Sequence, residues 1–222
     1  MFQGYLQIAI FLGVLVALVK PVGIYLARIF NDERVFLSPV FGPVERGTYR
    51  LLRVKPEAEG QDWKQYARSL IVFSLLFWIL LYLILRTQGI QPFNPEGFHS
   101  APWDLSFNTT SSFITNTNWQ YYGGETTLSF FAQMAGLAVQ NFVSAAVGIA
   151  VLAALIRGIV SRSGKSLGNF WQDIVRIILY VLLPISVVGA LFLVSQGVIQ
   201  NLSHASVIHT LSGGTQILAQ GP

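Results

Sequence analysis

Long apolar stretches of this chain carry no Asp, Glu, Lys or Arg, among them the residues between Arg68 and Arg86, those between Glu125 and Arg157, and everything from Ile177 to the C-terminus. Each is about as long as a bilayer span, roughly 20 residues, or longer. A water-soluble domain has no place for them. Of the 222 residues 53% are hydrophobic and only 11% charged, against about 25% charged in an ordinary soluble domain. A globular fold cannot hide so much apolar surface, so the sequence predicts an all-α polytopic membrane protein.

Four segments are predicted to span. The first runs from Tyr5 to Ile29, with Lys20 and Pro21 in its second half, where a lysine can snorkel to the interface. The second is Ser69 to Leu85. The third, Leu128 to Ile156, is long enough to cross with tilt. The fourth covers Ile174 to Val198 around Pro184, and proline is tolerated where neighbours satisfy the freed carbonyl. The opening Met-Phe-Gln-Gly has no basic region and no small-residue cleavage site follows, so the first span reads as uncleaved.

Orientation follows from the basic residues. Arg28, Arg34, Arg46, Arg50, Arg53, Lys55, Lys64 and Arg68 fall in the first connection, and Arg157, Arg162, Lys165 and Arg176 in the second loop. That puts twelve of the fourteen basic residues on one side. The positive-inside rule makes that side cytoplasmic and places the N-terminus, the 87–127 connection and the C-terminal tail outside. The same placement accounts for the net charge of +4 without a nucleic-acid partner, since no basic stripe is interleaved with aromatic residues. With no cysteine, a disulfide framework or thiolate metal site is excluded.

The 87–127 connection is not an ordinary loop. After a polar run from Gln88 to Pro102 comes an amphipathic stretch, Trp103 to Ile114, which reads as a helix of about three turns. Asp104 suits its start, as cap or in the first turn. Such a segment is too short to cross. It leads into Thr115-Asn116-Thr117-Asn118-Trp119-Gln120 and Gly123-Gly124-Glu125, and then directly into the third span. Helix, short re-entrant helix, polar loop, helix is the layout of a channel pore unit. The alternative is an external loop with a polar turn; the amphipathic lead-in and abrupt exit favour the pore.

A dehydrated cation needs oxygen ligands, and extended backbone presenting successive carbonyls supplies them in channel filters. Non-helical backbone at membrane depth is tolerated only where protein buries it or it lines a polar cavity. Thr and Asn side chains can hold such a loop in shape, and Trp119 is expected to wedge it against surrounding helices with its indole N–H seeking an acceptor. The loop has no carboxylate, so carbonyl coordination of a weakly hydrated monovalent cation is the expected device.

Other motifs carry less. Gly164-Lys165-Ser166 is reminiscent of a phosphate-binding loop, but the pattern needs glycine where Ile159 stands. His204 and His209 lie in the tail without a carboxylate nearby in sequence, and read as solvated rather than as metal ligands. Asn108-Thr-Thr and Asn201-Leu-Ser match the glycosylation pattern by chance. Gln133, Gln140 and Asn141 in the third span read as packing glue, with ion contact the lesser alternative. Glu125 reads as a dipole-favoured carboxylate at a helix start.

Several of these motifs occur together and in order elsewhere. Thr115-Asn-Thr-Asn-Trp-Gln120, Gly124-Glu-Thr-Thr-Leu-Ser129, Gln133-Met-Ala-Gly-Leu137 and Val139-Gln-Asn-Phe142 resemble the first pore unit of the potassium-binding A subunit of Kdp-type bacterial potassium-transporting ATPases. Asn31-Asp32, Trp63-Lys-Gln-Tyr66, Trp103-Asp104 and Leu167-Gly-Asn169 extend the likeness over the whole chain.

The resemblance implies potassium-channel-like helix–pore loop–helix repeats, four to a complete subunit, of which this chain holds about one and a half after an extra first helix. The implied division is 1–30, first transmembrane helix; 31–65, cytoplasmic loop; 66–157, first repeat with its re-entrant segment 103–120; and 158–222, a cytoplasmic loop, the first helix of a second repeat and a truncated external segment. It implies Thr115, Asn116, Thr117 and Asn118 as the filter strand, with Gln120, Trp119, Gly123 and Gly124 at the mouth or in support. It also implies K+ as the transported ion, no permanently bound cofactor and no other metal. The implied setting is the bacterial inner membrane, beside a P-type ATPase subunit that hydrolyses ATP and small accessory membrane subunits. Family members carry further filter loops beyond the point where this sequence stops, so a fragment or split product is expected, non-catalytic by itself. The competing expectation is a passive monovalent cation channel assembled from several copies.

Overall fold

The computed structural model describes residues 2–54, 60–161 and 166–221. Lys55, Arg162, Lys165 and the Gly164-Lys165 pair lie outside the described residues. Four helices are long and apolar enough to cross a membrane, Gln3–Phe30, Trp63–Ile90, Ala132–Val160 and Phe170–Ser195; the last three overlie the charge-free runs, and the first carries Lys20 and Arg28 in its second half. The architecture is that of an all-α polytopic membrane protein. The chain divides into two compact units, Met1–Ala58 and Glu59–Pro222.

The first unit holds α1 (Phe2–Phe30) and α2 (Ser38–Leu52). The expected 31–65 loop thus contains a helix, despite Pro39, Gly42, Pro43 and Gly47. Proline is harmless at a helix start, where its missing N–H has no partner to lose, and Pro39 sits in that position. The Ser38 hydroxyl also accepts the Val35 amide at 2.9 Å. The helix ends at Arg53, whose φ of 54° is left-handed. Its Gly42 and Tyr49 are buried, as is Ile29 near the end of α1.

The second unit begins with α3 (Trp63–Thr87), six residues earlier than Ser69. Asp62 explains the difference: its carboxylate accepts the Gln65 amide at 2.8 Å, and Gln65 Oε1 accepts the Asp62 amide at 3.1 Å, a reciprocal capping box. A short 3-10 turn, Gln88–Ile90, follows. Then come α4 (Trp103–Ile114) and α5 (Gly124–Thr127). The third span is not one helix from Leu128. Leu128 is extended, and a π-helical stretch, Ala132–Ala138, runs on into α6 (Val139–Val160). The fourth is α7 (Phe170–Arg176), a π-helical stretch Ile177–Leu182, and α8 (Leu183–Ser195). Pro184 lies in the first turn of α8, where the widened turns before it absorb the missing N–H. In the tail, β1 (Ser206–His209) pairs antiparallel with β2 (Thr215–Leu218), a hairpin the sequence reading did not foresee.

The polar core of this unit joins α3, α6 and α7. Arg157 forks onto Asp173 with contacts of 2.6 and 2.9 Å, and Asp173 is 3% exposed. The Tyr66 hydroxyl lies 2.9 Å from both Asp173 Oδ2 and the Ala150 carbonyl. Asn169 caps α7 through the Trp171 amide at 3.0 Å. Phe170 fills the space beside Tyr66 and Phe73 edge-on, with ring centroids 5.5 Å from each. A carboxylate so deeply buried persists because a bidentate cation and a phenol satisfy its oxygens together.

Candidate ion-binding loop

The 103–120 segment is positioned first by α4. Leu105, Ser106, Thr109, Thr110 and Phe113 are buried along one helical stripe. Asp104 lies in the first turn, while the cap position is Pro102. The neighbouring α3 grips the other side: Trp78 donates its indole N–H to Ser111 Oγ at 3.2 Å and meets Phe107 edge-on at 5.5 Å.

Both legs of the segment meet at Gln88, which is 1% exposed. Its amide nitrogen donates to the His99 carbonyl at 2.6 Å on the entry leg and to the Thr127 carbonyl at 2.9 Å on the exit leg. Its oxygen accepts the Ser129 amide at 3.2 Å. Arg86 donates to the Ala101 carbonyl, and the Ala101 amide to Leu85. In the sequence Gln88 is only the first residue of a polar run. One glutamine after a long apolar run gives no sign of which carbonyls it will meet.

The loop itself departs from expectation. Thr115 to Asn118 is not an extended strand. Thr115 has φ −86° and ψ 4°, while Asn116 and Asn118 are left-handed at φ 56° and 55°. In an extended strand successive carbonyls point to opposite sides. Alternating the sign of φ turns the peptide planes the same way, so amides collect on one side and carbonyls on the other. Asparagine, which tolerates the left-handed region better than most non-glycine residues, occupies the two positions that need it.

The hydrogen bonds follow from that backbone. The Thr115 amide donates to Ser111 O, Asn116 to Phe113 O at 3.1 Å, Thr117 to Ser112 O at 2.9 Å and Asn118 to Ser112 O at 3.3 Å. The Trp119 amide donates to Ser112 Oγ. Five consecutive amides thus turn in on the end of α4. Among the described residues no donor reaches the carbonyls of Thr115, Asn116, Thr117 or Asn118. Side chains hold the turn: Thr115 Oγ1 donates to Ser111 O at 2.9 Å and lies 2.9 Å from Thr117 Oγ1. Asn116 Oδ1 accepts the hydroxyl of Ser144 on α6 at 3.2 Å. Ser112 and Ser144 were both missed, because a serine in an apolar helix does not declare what it anchors.

The family described as "Potassium-transporting ATPase A subunit" matches residues 9–222. The chain belongs to the potassium-transporting ATPase A subunit family. Proteins named "Potassium-transporting ATPase potassium-binding subunit" are 53% identical in Brucella anthropi, over 99% of this chain and 39% of that protein. In Rhodospirillum centenum the identity is 54% and in Methylorubrum extorquens 52%, each over 99% of this chain and 38% of the relative. The chain therefore spans about two fifths of the length of these relatives of the A subunit family.

In this member of the A subunit family the remaining predicted residues are spread around the loop. Trp119 is 76% exposed and, among the described residues, is not wedged against a helix. Gln120 is exposed beside it. Gly123 precedes α5, where an added Cβ would come within 2.9 Å of Thr126 Oγ1, whereas Gly124 has only Gln133 Oε1 nearby, at 3.8 Å. Glu125 falls in α5 and not at the start of the third span. Gln133 donates to the Leu128 carbonyl at 3.0 Å. Gln140 is buried in the seam with α3, facing Phe77, Leu81 and Ile84, while Asn141 is exposed. His204 does meet a carboxylate: its Nδ1 lies 3.5 Å from Glu96, which also accepts the Ala205 amide. Folding brings Glu96 there across a sequence separation that hid it. Among the described residues no cluster of three or more metal-ligating side chains forms.

Proposed function

We propose that this chain supplies the first ion-selective loop of a potassium-binding and translocating subunit in an ATP-driven uptake pump of the bacterial inner membrane. The observation that carries the reading is the loop's division into five inward amides and four donor-free carbonyls. A cation that sheds its water needs oxygens already facing it and held without further donors. The α4 C-terminus also points its negative dipole end at the loop. The Thr115–Asn118 turn has no carboxylate, which suits a weakly hydrated monovalent ion such as K+, held as cargo and not as a resident cofactor.

One strand touches an ion from one side only. In this reading three further loops complete the ring, and the partner that drives transport is a P-type subunit that hydrolyses ATP, with small accessory membrane subunits beside it. This chain hydrolyses nothing. Residues 31–65 and 158–172 face the cytoplasm, the N-terminus lies outside, and residues 103–120 enter the bilayer from outside. Trp119, Gln120, Gly123 and Gly124 border the outer mouth.

Gln120 provides the test. In the assembled transport complex carrying this sequence, Gln120→Lys sets a fixed positive charge near the entering ion. At ~6 Å and an effective dielectric of about 20 to 40, the repulsion is roughly 1.5 to 3 kcal/mol. The potassium concentration for half-maximal ATPase activity should rise about ten- to a hundredfold, with Gln120→Asn much milder. An unchanged half-saturating concentration at normal assembly removes Gln120 from the ion path.

A further inference from the structure

Helix α2 shows an apolar stripe to the outside. Val40, Val44 and Leu51 recur at the spacing that puts them on one helix face, and they are 64%, 51% and 83% exposed. The opposite face carries Gly42 and Tyr49, the two buried residues of the helix. Arg46 and Arg50 stand on one flank between these faces, the Arg46 guanidinium reaching toward Gly42, and Arg53 caps the helix end, all three exposed. A solvated helix has no use for such a stripe, and a helix meant only for a protein core has no use for three arginines beside it.

The place of α2 in the chain says what covers the stripe. The span α1 ends at Phe30, and the chain turns at once: Asp32 is left-handed, at φ 66°, and the Glu33 amide returns to the Arg28 carbonyl at 2.9 Å. This is the turn by which helices stop and reverse. Tyr25 meets Phe36 with ring centroids 5.6 Å apart, so the start of α2 is held beside the end of α1. A membrane span that ends there leaves α2 at headgroup depth.

We propose that α2 lies in the plane of the leaflet at which α1 ends, with Val40, Val44 and Leu51 among the upper acyl chains and Arg46, Arg50 and Arg53 on the headgroups of anionic phospholipid. Basic residues flanking an apolar helical face bind such surfaces through apolar burial and charge attraction together. The reading depends only on α1 crossing the membrane and is independent of which ion the loop binds.

The chain has no cysteine, so single cysteines at positions 44 and 51, and at position 34 as control, can each carry a bimane label. The labelled chains are reconstituted in vesicles of phosphatidylcholine alone or mixed with phosphatidylglycerol. Labels at 44 and 51 should be quenched by a nitroxide on the upper acyl chain and shielded from aqueous iodide, and the label at 34 should show the reverse. Phosphatidylglycerol should strengthen lipid quenching at 44, and the combined Arg46→Gln, Arg50→Gln and Arg53→Gln changes should return it to the phosphatidylcholine value. Iodide quenching at 44 and 51 overturns the proposal in favour of a solvated helix. Shielding from both quenchers overturns it in favour of a protein partner. Lipid quenching indifferent to phosphatidylglycerol and to the arginines overturns its electrostatic half.

Discussion

Asn118 isolates one requirement of the loop. Its φ of 55° is left-handed, and among the described residues its side chain makes no bond like that of Asn116 to Ser144. Glycine enters that region freely, whereas a β-branched residue pays about 1–2 kcal/mol or more. Asn118→Gly should therefore leave the half-saturating potassium concentration within about threefold of the parent, and Asn118→Val should raise it about tenfold or more. Equal effects of the two changes would show that the backbone hand is not what position 118 supplies. The Thr-Asn-Thr-Asn run was legible in the sequence as a candidate filter, but for an incomplete reason. Asparagine was valued there for its amide, and the alternating hand of the backbone was invisible, because a residue type states a tolerance and not a conformation.

At the level of elements, the last three spans were legible because an apolar, charge-free run of bilayer length has few other uses, and the first because its one lysine sits where it can snorkel. Their ends were not. The Asp62–Gln65 box moves the start of α3 to Trp63, and four breaker-like residues disguise α2. Nor did periodicity betray the junction of α3, α6 and α7, since its partners Tyr66, Arg157 and Asp173 are far apart in the chain. That junction is testable. Removing one side of a buried ion pair leaves the other uncompensated, at a cost of about 3–5 kcal/mol, whereas an apolar pair of similar volume is often tolerated. Asp173→Asn should lower the thermal unfolding midpoint in detergent, and Arg157→Met combined with Asp173→Leu should restore much of the loss. A double variant as unstable as the sum of the two single changes would show that no specific pairing exists.

For the molecule as a whole, the sequence yields a topology through the distribution of arginine and lysine. Cysteine placed at Arg34 should be protected from an impermeant thiol reagent in intact cells and become reactive after permeabilisation, and cysteine at Ser100 should react at once. The opposite pattern would invert the orientation, and with it the side from which the loop is entered. What charge statistics cannot reveal is how the two legs of the 87–127 connection are joined. Gln88 grips His99 before α4 and Thr127 and Ser129 after the loop, so a pull on either leg is felt by the other. Gln88 is a bolt shared by two arms of one bracket: the arms cannot spread apart at that point without drawing it.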